Sequence, residues 1–248
     1  MLYAFIWTWL HLLQFTVSNQ SLDPEEDASN KPWRPIPSGL ISIGRARALR
    51  WILLPSCFFL SVRLQAHWQG ISLALAFLVH NEMHLHSHWL MRNACNAWGY
   101  ASFNAGASAI AAGTFYTPFV SRETRRYSIR NTPFVPGQST MATHTMISFV
   151  INTLIIFSTI HAQDFRDEIG DKLMGRRTIP MVWPKGSRVW IFVVLTAWSV
   201  GLSWACGLAP HFSVPFFALA VLIGLRFLQK RTANADKRSY YYYNVRIP

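Results

Sequence analysis

Long apolar segments dominate this sequence and leave few folds open to it. Only 14% of the residues are charged, whereas 51% are apolar. About 20 apolar residues are needed for a helix to cross the hydrocarbon core of a membrane, and seven segments approach or reach that length. The pattern argues against soluble domains and predicts an all-α fold, a polytopic transmembrane helical bundle. The candidate spans are 1–19, 50–66, 68–84, 94–115, 143–163, 189–208 and 211–229.

The acidic residues are concentrated in two places. The chain has eleven Asp and Glu residues, and eight of them lie in two short stretches that each follow an apolar segment. The first stretch is "SNQSLDPEEDASNKPWRPIPSG" (18–39), and the second is "QDFRDEIGDKLMGRRTIP" (163–180). If the spans cross the membrane alternately, both stretches lie on the same face. Most Lys and Arg residues fall on that face too, which predicts that it is cytoplasmic.

The spacing of the carboxylates indicates what these stretches bind. Asp23 and Asp27 are four residues apart and would share a helix face, and Asp164, Asp167 and Asp171 would share another. Two facing carboxylate stripes repel each other unless cations lie between them. Mg²⁺ suits this arrangement because it combines a few carboxylates with substrate phosphates. We therefore predict a metal–diphosphate site, with ordinary solvated loops as the alternative interpretation.

Both stretches resemble the paired motifs of the UbiA superfamily of intramembrane prenyl-diphosphate enzymes. The first hallmark, Asn-x3-Asp-x3-Asp, is followed here by "NKPWRPIPSG", and the second, "DFRDEIGD", is followed by "GRRTIP". The resemblance covers nearly the whole chain and implies one UbiA-like transmembrane domain, residues 1–248, around a lipid-open cavity. It implies that Asn19, Asp23 and Asp27 hold one Mg²⁺ ion, that Asp164, Asp167 and Asp171 hold another, and that Lys31, Arg34 and Arg177 contact the diphosphate.

The sequence departs from this family pattern in two regions. Family members usually have nine helices, and their first motif ends the second helix. Here the motif ends the first span, so we expect the family's first helix to be missing. Residues 116–142 form an atypical polar and basic stretch, interpreted as a lumenal loop or as translated intron sequence.

The resemblance implies that the chain ionises a prenyl diphosphate, with farnesyl diphosphate as the expected substrate, in terpenoid or meroterpenoid biosynthesis. The resulting allylic cation can cyclise or can be transferred to an aromatic or other small-molecule acceptor. The first motif is less similar to the "ND-x2-D-x3-D" of aromatic-acceptor transferases than to a fungal branch that includes a membrane-bound sesquiterpene cyclase. We therefore predict a terpene cyclase of the endoplasmic reticulum membrane without a nucleic-acid partner. A prenyltransferase and an inactive truncated pseudoenzyme remain the alternatives.

Two further patterns need an interpretation. In "HNEMHLHSH", His80 and His84, or His84 and His88, would share a helix face, as in the histidine boxes of membrane di-iron oxidases. Such sites need several boxes, and the other histidines are scattered singly without an HExxH motif. We therefore predict an interfacial loop here. The run from Tyr240 to Tyr243 is interpreted as an interfacial anchor.

Overall fold

The computed structural model describes residues 1–22, 24–114 and 136–246. Within these ranges the chain is helical, with one isolated bridge between His88 and Arg177, which confirms the predicted all-α class. The α-helices are α1 (Leu2–Leu22), α2 (Pro24–Asn30), α3 (Ile43–Arg63), α4 (His67–Phe77), α5 (Trp89–Thr114), α6 (Pro136–Thr159), α7 (Glu168–Leu173), α8 (Ile179–Val182), α9 (Pro184–Ala205), α10 (Pro210–Gln229) and α11 (Ala233–Arg246).

Each predicted span overlaps one of the seven longer helices that precede α11. By length and composition, three helical segments of the described chain could cross a membrane: Thr145–Arg166, Pro184–Ala205 and Pro210–Gln229. Large apolar side chains cover the outside of the bundle, as Phe5 and Trp204 show with exposed fractions of 68% and 86%. Such a surface suits lipid rather than water, because contiguous apolar patches of this extent are rare on soluble monomers.

Local signals set several helix ends. Pro184 and Pro210 begin α9 and α10, where a missing backbone N–H has no cost and the fixed φ angle favours the helix. Ser42 caps α3 through a hydrogen bond to its side-chain oxygen from the backbone N–H of Arg45, over 3.3 Å. Because of this cap, α3 starts seven residues before the predicted span at residue 50.

The helices pack as neighbours around a central space. α1 lies against α3 and α5, α4 against α5, α5 against α6, and α9 against α10. One apolar core joins α1, α4 and α5 around Trp7 and Leu73, and a second joins α9, α10 and α11 around Ile191 and Phe227. The short helix α2 packs on α7, so the two acidic stretches meet at one end of the bundle.

A buried polar network fastens α1 to α3. Trp7 Nε1 donates a hydrogen bond to Ser61 Oγ over 2.8 Å, and His11 Nε2 lies 3.2 Å from the same oxygen. Gly70 and Gly106 allow the close approach of their helices, because a Cβ atom added there would overlap Ser61 and Trp7, respectively. Small residues at helix contacts are the usual means of close packing inside a membrane.

Three segments differ from the sequence-based expectation. The predicted span 68–84 is α-helical only to Phe77 and continues as a π-helical turn, Leu78–Glu82. The second acidic stretch is not one helix, because a 3₁₀ segment, Ile160–Arg166, is separated from α7 by Asp167. The polar stretch 116–142 is not a loop throughout, since α6 begins at Pro136, and its remainder lies outside the described residues.

Candidate active site

The two acidic stretches form one cluster of charges. Helix α2 carries Asp27 and packs on α7, which carries Asp171. Lys31, from the first stretch, places its Nζ 3.4 Å from Asp167 Oδ2 of the second. Both groups are mostly buried, so this ion pair is less screened than a surface pair.

In the first stretch, Asp27 carries a buried carboxylate. Its Oδ1 accepts a hydrogen bond from Arg34 Nη1 over 2.6 Å. Its Oδ2 is buried without a hydrogen-bond partner, although the residue is only 2% exposed. Asn19 donates to Asn81 Oδ1 over 3.3 Å. The predicted ligand Asp23 lies outside the described residues.

In the second stretch, each carboxylate has a basic neighbour. Asp164 Oδ1 accepts from Arg92 Nε over 2.9 Å, whereas its Oδ2 is buried without a hydrogen-bond partner. Asp171, fully buried, pairs with Arg176 Nη1 over 3.3 Å. Asp164 lies in the 3₁₀ segment and Asp171 in α7, so the two carboxylates do not share one regular helix.

The histidine stretch forms a wall of this cluster. His86 Nδ1 lies 2.6 Å from the carbonyl oxygen of His80 and therefore carries the ring proton, so its Nε2 accepts from Arg176 Nη2 over 3.1 Å. The rings of His80 and His86 stack with centroids 5.1 Å apart. The predicted sharing of helix faces by His84 is wrong, because His84 adopts a left-handed conformation with φ of 51° between the π-helical turn and a short 3₁₀ turn.

The predicted diphosphate contacts occupy two kinds of position. Lys31 and Arg34 already pair with acidic-stretch carboxylates, whereas the Arg177 side chain is exposed and its backbone N–H donates to Ser87 O over 2.9 Å. Sequence reasoning missed Arg92 as a site residue, because it lies 72 positions before Asp164. The sequence offers one signal for Arg92: it is a basic residue close after the histidine stretch.

The donor set can accept a cation. Among the described residues, no group of three or more His, Cys, Asp or Glu side chains converges on one point. Mg²⁺ does not need such a group, because it uses one or two carboxylates and completes its shell with water and phosphate oxygens. The buried, unpartnered oxygens of Asp27 and Asp164 are suitable ligands of this kind.

A cavity of about 500 Å³ extends from the cluster between α1, α4, α5 and α6. The part of its wall nearest the cluster includes His80 and Gln163, which precede Asn81 and Asp164 in the chain. Aromatic rings line the deeper part, where the centroids of two of them lie 4.8 Å apart. Amide side chains face the same space. The lining includes the aromatic residues Phe15, Phe77 and Phe103 and the amide residues Asn96, Gln163 and Asn244.

Two titratable groups beside the cluster have shifted pKa values. Burial raises the pKa of the Glu168 carboxyl, and the positive charge of Arg188 opposes this shift. Burial likewise raises the pKa of the Tyr240 hydroxyl, with the nearby Arg166 charge acting in the opposite direction. Tyr240 therefore stays protonated and uncharged at neutral pH.

The chain is similar to two fungal proteins that are named as a synthase and a cyclase. It is 32% identical over 204 residues to fumagillin beta-trans-bergamotene synthase of Aspergillus fumigatus, an alignment that covers 80% of this chain and 61% of that protein. It is 31% identical over 254 residues to a diterpene cyclase of Hericium erinaceus, an alignment that covers 97% of this chain and 72% of that protein. The chain thus spans about two thirds of the length of these relatives.

The fold has a solved counterpart as well. A structure of digeranylgeranylglyceryl phosphate synthase in membranes superimposes with a TM-score of 0.60, covering 99% of this chain and 81% of that one at 18% identity. The model of the UbiA prenyltransferase family matches residues 1–245. The match takes in both acidic stretches and every helix that surrounds the cavity. The chain therefore belongs to the UbiA prenyltransferase family.

Proposed function

We propose that the chain is a Mg²⁺-dependent intramembrane enzyme that ionises farnesyl diphosphate and cyclises the resulting cation. One observation carries the proposal: two acidic stretches meet above an aromatic-lined cavity, with buried carboxylate oxygens that lack partners. The synthase and cyclase names of the fungal relatives support cyclisation.

In this proposal, the acidic stretches bind the metal ions. When bound there, Mg²⁺ neutralises the negative charge that develops on the diphosphate as its C–O bond breaks. The proposed ligands are Asn19, Asp23 and Asp27 on one side, and Asp164, Asp167 and Asp171 on the other.

The basic side chains have the role of phosphate ligands. Arg34, Arg92 and Arg176 now donate to carboxylates and lie within the same cluster. On substrate binding they are expected to donate to phosphate oxygens, which guanidinium groups bind in bidentate geometry. Lys31 and Arg177 would add charge, Lys31 between the two stretches and Arg177 at the exposed rim.

The cavity wall has the role of protecting the cation. The rings of Phe15, Phe77 and Phe103 line the space below the acidic cluster. Their negative π faces attract a carbocation without forming a bond to it. The surrounding bundle keeps water from the cation while the double bonds of the prenyl group itself attack it.

Prenyl transfer is the second candidate, and the amides favour it. Asn96, Gln163 and Asn244 face the cavity close to the acidic cluster. Amides in an otherwise apolar space can hydrogen-bond to a hydroxyl or carbonyl group of a small acceptor. The family as a whole is described as prenyltransferases, which agrees with this candidate.

We also propose that the chain resides in the endoplasmic reticulum membrane with the acidic cluster on the cytoplasmic side. The segments that join the long helices at that end of the bundle contain Lys31, Arg34, Lys172 and Arg176. Basic residues in short loops are retained in the cytoplasm during insertion, which is the reason for this orientation.

The test is product analysis without an acceptor. Microsomes that contain the chain would receive farnesyl diphosphate and Mg²⁺, and hexane extracts would be analysed by gas chromatography and mass spectrometry. A cyclic terpene that EDTA abolishes supports the cyclase. Diphosphate release that appears only when an aromatic or alcohol acceptor is added would instead favour prenyl transfer.

A further inference from the structure

We propose that helix α11 is a cap on the active site, and that the Arg188–Asp236 ion pair is the positioning device that holds it against the second acidic stretch. This inference rests on the proposed function. Neither residue belongs to an acidic motif, and Asp236 is one of the three acids outside the two acidic stretches.

The ion pair has the geometry of a buried clamp. Arg188 Nη1 and Nη2 donate to Asp236 Oδ1 and Oδ2, both over 2.9 Å, and Nη1 also donates to Phe227 O over 2.8 Å. Arg188 is 7% exposed and Asp236 is 1% exposed. Burying two charges is costly unless they are paired and hydrogen-bonded in this way. The pair therefore ties the starts of α9 and α11 and the end of α10 at one fixed point.

The clamp extends directly to the second acidic stretch. The Arg188 guanidinium carbon lies 4.3 Å from the centroid of the Phe165 ring, and Arg188 Nη2 lies 3.8 Å from Glu168 Oε1. Phe165 follows Asp164, and Glu168 follows Asp167. Movement of Arg188 would therefore move the backbone that carries both of those carboxylates.

The rest of α11 touches both acidic stretches. Tyr243 Oη lies 2.9 Å from Thr159 Oγ1, at the entry to the 3₁₀ segment, so the predicted interfacial anchor is wrong for this buried tyrosine. Arg166 stacks on Tyr240 at 4.4 Å from the guanidinium carbon to the ring centroid. Lys237 Nζ lies 4.6 Å from the centroid of the Trp33 ring, within the first stretch.

The same helix is part of the cavity wall. Tyr243 and Asn244 line the central cavity beside Gln163 and Ile160. If α11 were released, the wall next to the acidic cluster would open. Water could then reach the allylic cation, forming a C–O bond at the cationic carbon and losing a proton to solvent. The product of that reaction is an acyclic prenyl alcohol.

The experiment compares two clamp variants with one control in the full chain. Asp236→Asn removes the charge but keeps the shape, and Arg188→Lys keeps the charge but loses the two-pronged hydrogen bond. The control is Arg238→Gln, an exposed position on the same helix. Two quantities are measured with farnesyl diphosphate: the Mg²⁺ concentration for half-maximal diphosphate release, and the fraction of product that is acyclic alcohol.

In both clamp variants, the Mg²⁺ concentration for half-maximal diphosphate release is expected to rise at least about tenfold, as is usual when a group that orients metal ligands is removed. Both should also raise the acyclic alcohol fraction, whereas Arg238→Gln should change neither quantity. General destabilisation would lower the amount of folded enzyme without moving the Mg²⁺ midpoint. If Asp236→Asn does not accumulate, Arg188→Lys alone decides.

Unchanged midpoints and alcohol fractions in active clamp variants would overturn the cap. If the unmodified chain itself releases no diphosphate at any Mg²⁺ concentration, the proposed function fails first, and the inference with it. The two failures are therefore distinguishable by the activity of the unmodified chain.

Discussion

At the scale of single residues, Asp27 and Asp164 show the same arrangement. Each accepts a guanidinium hydrogen bond on one carboxylate oxygen and buries the other without a partner. Leaving a carboxylate oxygen buried and unsatisfied is costly, so a residue in this state commonly serves a ligand. Two such residues, one from each acidic stretch, are the local basis for the proposed metal–diphosphate site.

The first prediction concerns Asp164. Asp164→Asn keeps the size of the side chain but replaces a charged oxygen with a neutral amide, so Mg²⁺-dependent diphosphate release should fall at least about a hundredfold. The matched control is Glu25→Gln, an exposed acid in the first stretch that should retain full activity. Equal rates for Asp164→Asn and the unmodified chain would remove Asp164 from the site.

The second prediction separates two histidines. His86→Phe removes the ring nitrogen to which Arg176 Nη2 donates, so the guanidinium that pairs with Asp171 is held less firmly and diphosphate release should drop about tenfold. His84→Ala, at an exposed position two residues earlier, should leave both the rate and its Mg²⁺ dependence unchanged. Loss of a bound metal in His84→Ala would show that the histidine stretch is itself a metal site.

At the scale of elements, hydrophobic length was sufficient to locate the seven long helices but not the short ones. The π-helical turn that places Asn81 near Asn19 cannot be distinguished from a helix end by periodicity. The break at Asp167 lies beside the start of α7, which packs on α2, a helix far away in the sequence. The burial of Tyr243 in α11 cannot be predicted from "SYYYY", because a run of tyrosines is typical of a membrane interface and the contact of Tyr243 with Thr159 joins distant segments.

The third prediction tests how α1 is held. Gly106→Val would force side-chain atoms into the space of Trp7 and push α1 from α5, costing about 1–3 kcal/mol of stability. The melting temperature in detergent should fall by about 3–10 °C. Gly201→Val, at a helical glycine with open space around it, is the control and should melt nearly as the unmodified chain does. Equal melting of both variants would contradict the close contact.

At the scale of the whole molecule, the paired motifs predict that the two acidic stretches meet, but they do not predict the basic partners of the carboxylates. Asp164, Asp167 and Asp171 lie close together in the sequence, and the contact of their stretch with the first one agrees with the predicted alternate membrane crossings. Arg92 and Asp236 could not be found in this way. Their contacts join distant segments, and a single sequence contains no direct signal of such pairs.

The fourth prediction concerns orientation in the membrane. Cys206 ends α9 at the end of the bundle opposite the acidic cluster and is exposed. In sealed microsomes, an impermeant maleimide should label an introduced Ser38→Cys, placed near the first stretch in a Cys206→Ser background, but should not label Cys206 in the unmodified chain. Labelling of Cys206 alone would reverse the proposed orientation.

The most direct measurement of the central claim is diphosphate release from farnesyl diphosphate by the purified chain in lipid nanodiscs, as Mg²⁺ is added and then removed with EDTA. If the two acidic stretches form one metal–diphosphate site, release should require Mg²⁺, stop with EDTA and resume when Mg²⁺ is restored. Release that continues unchanged in excess EDTA, or none at any Mg²⁺ concentration in folded protein, would contradict the account.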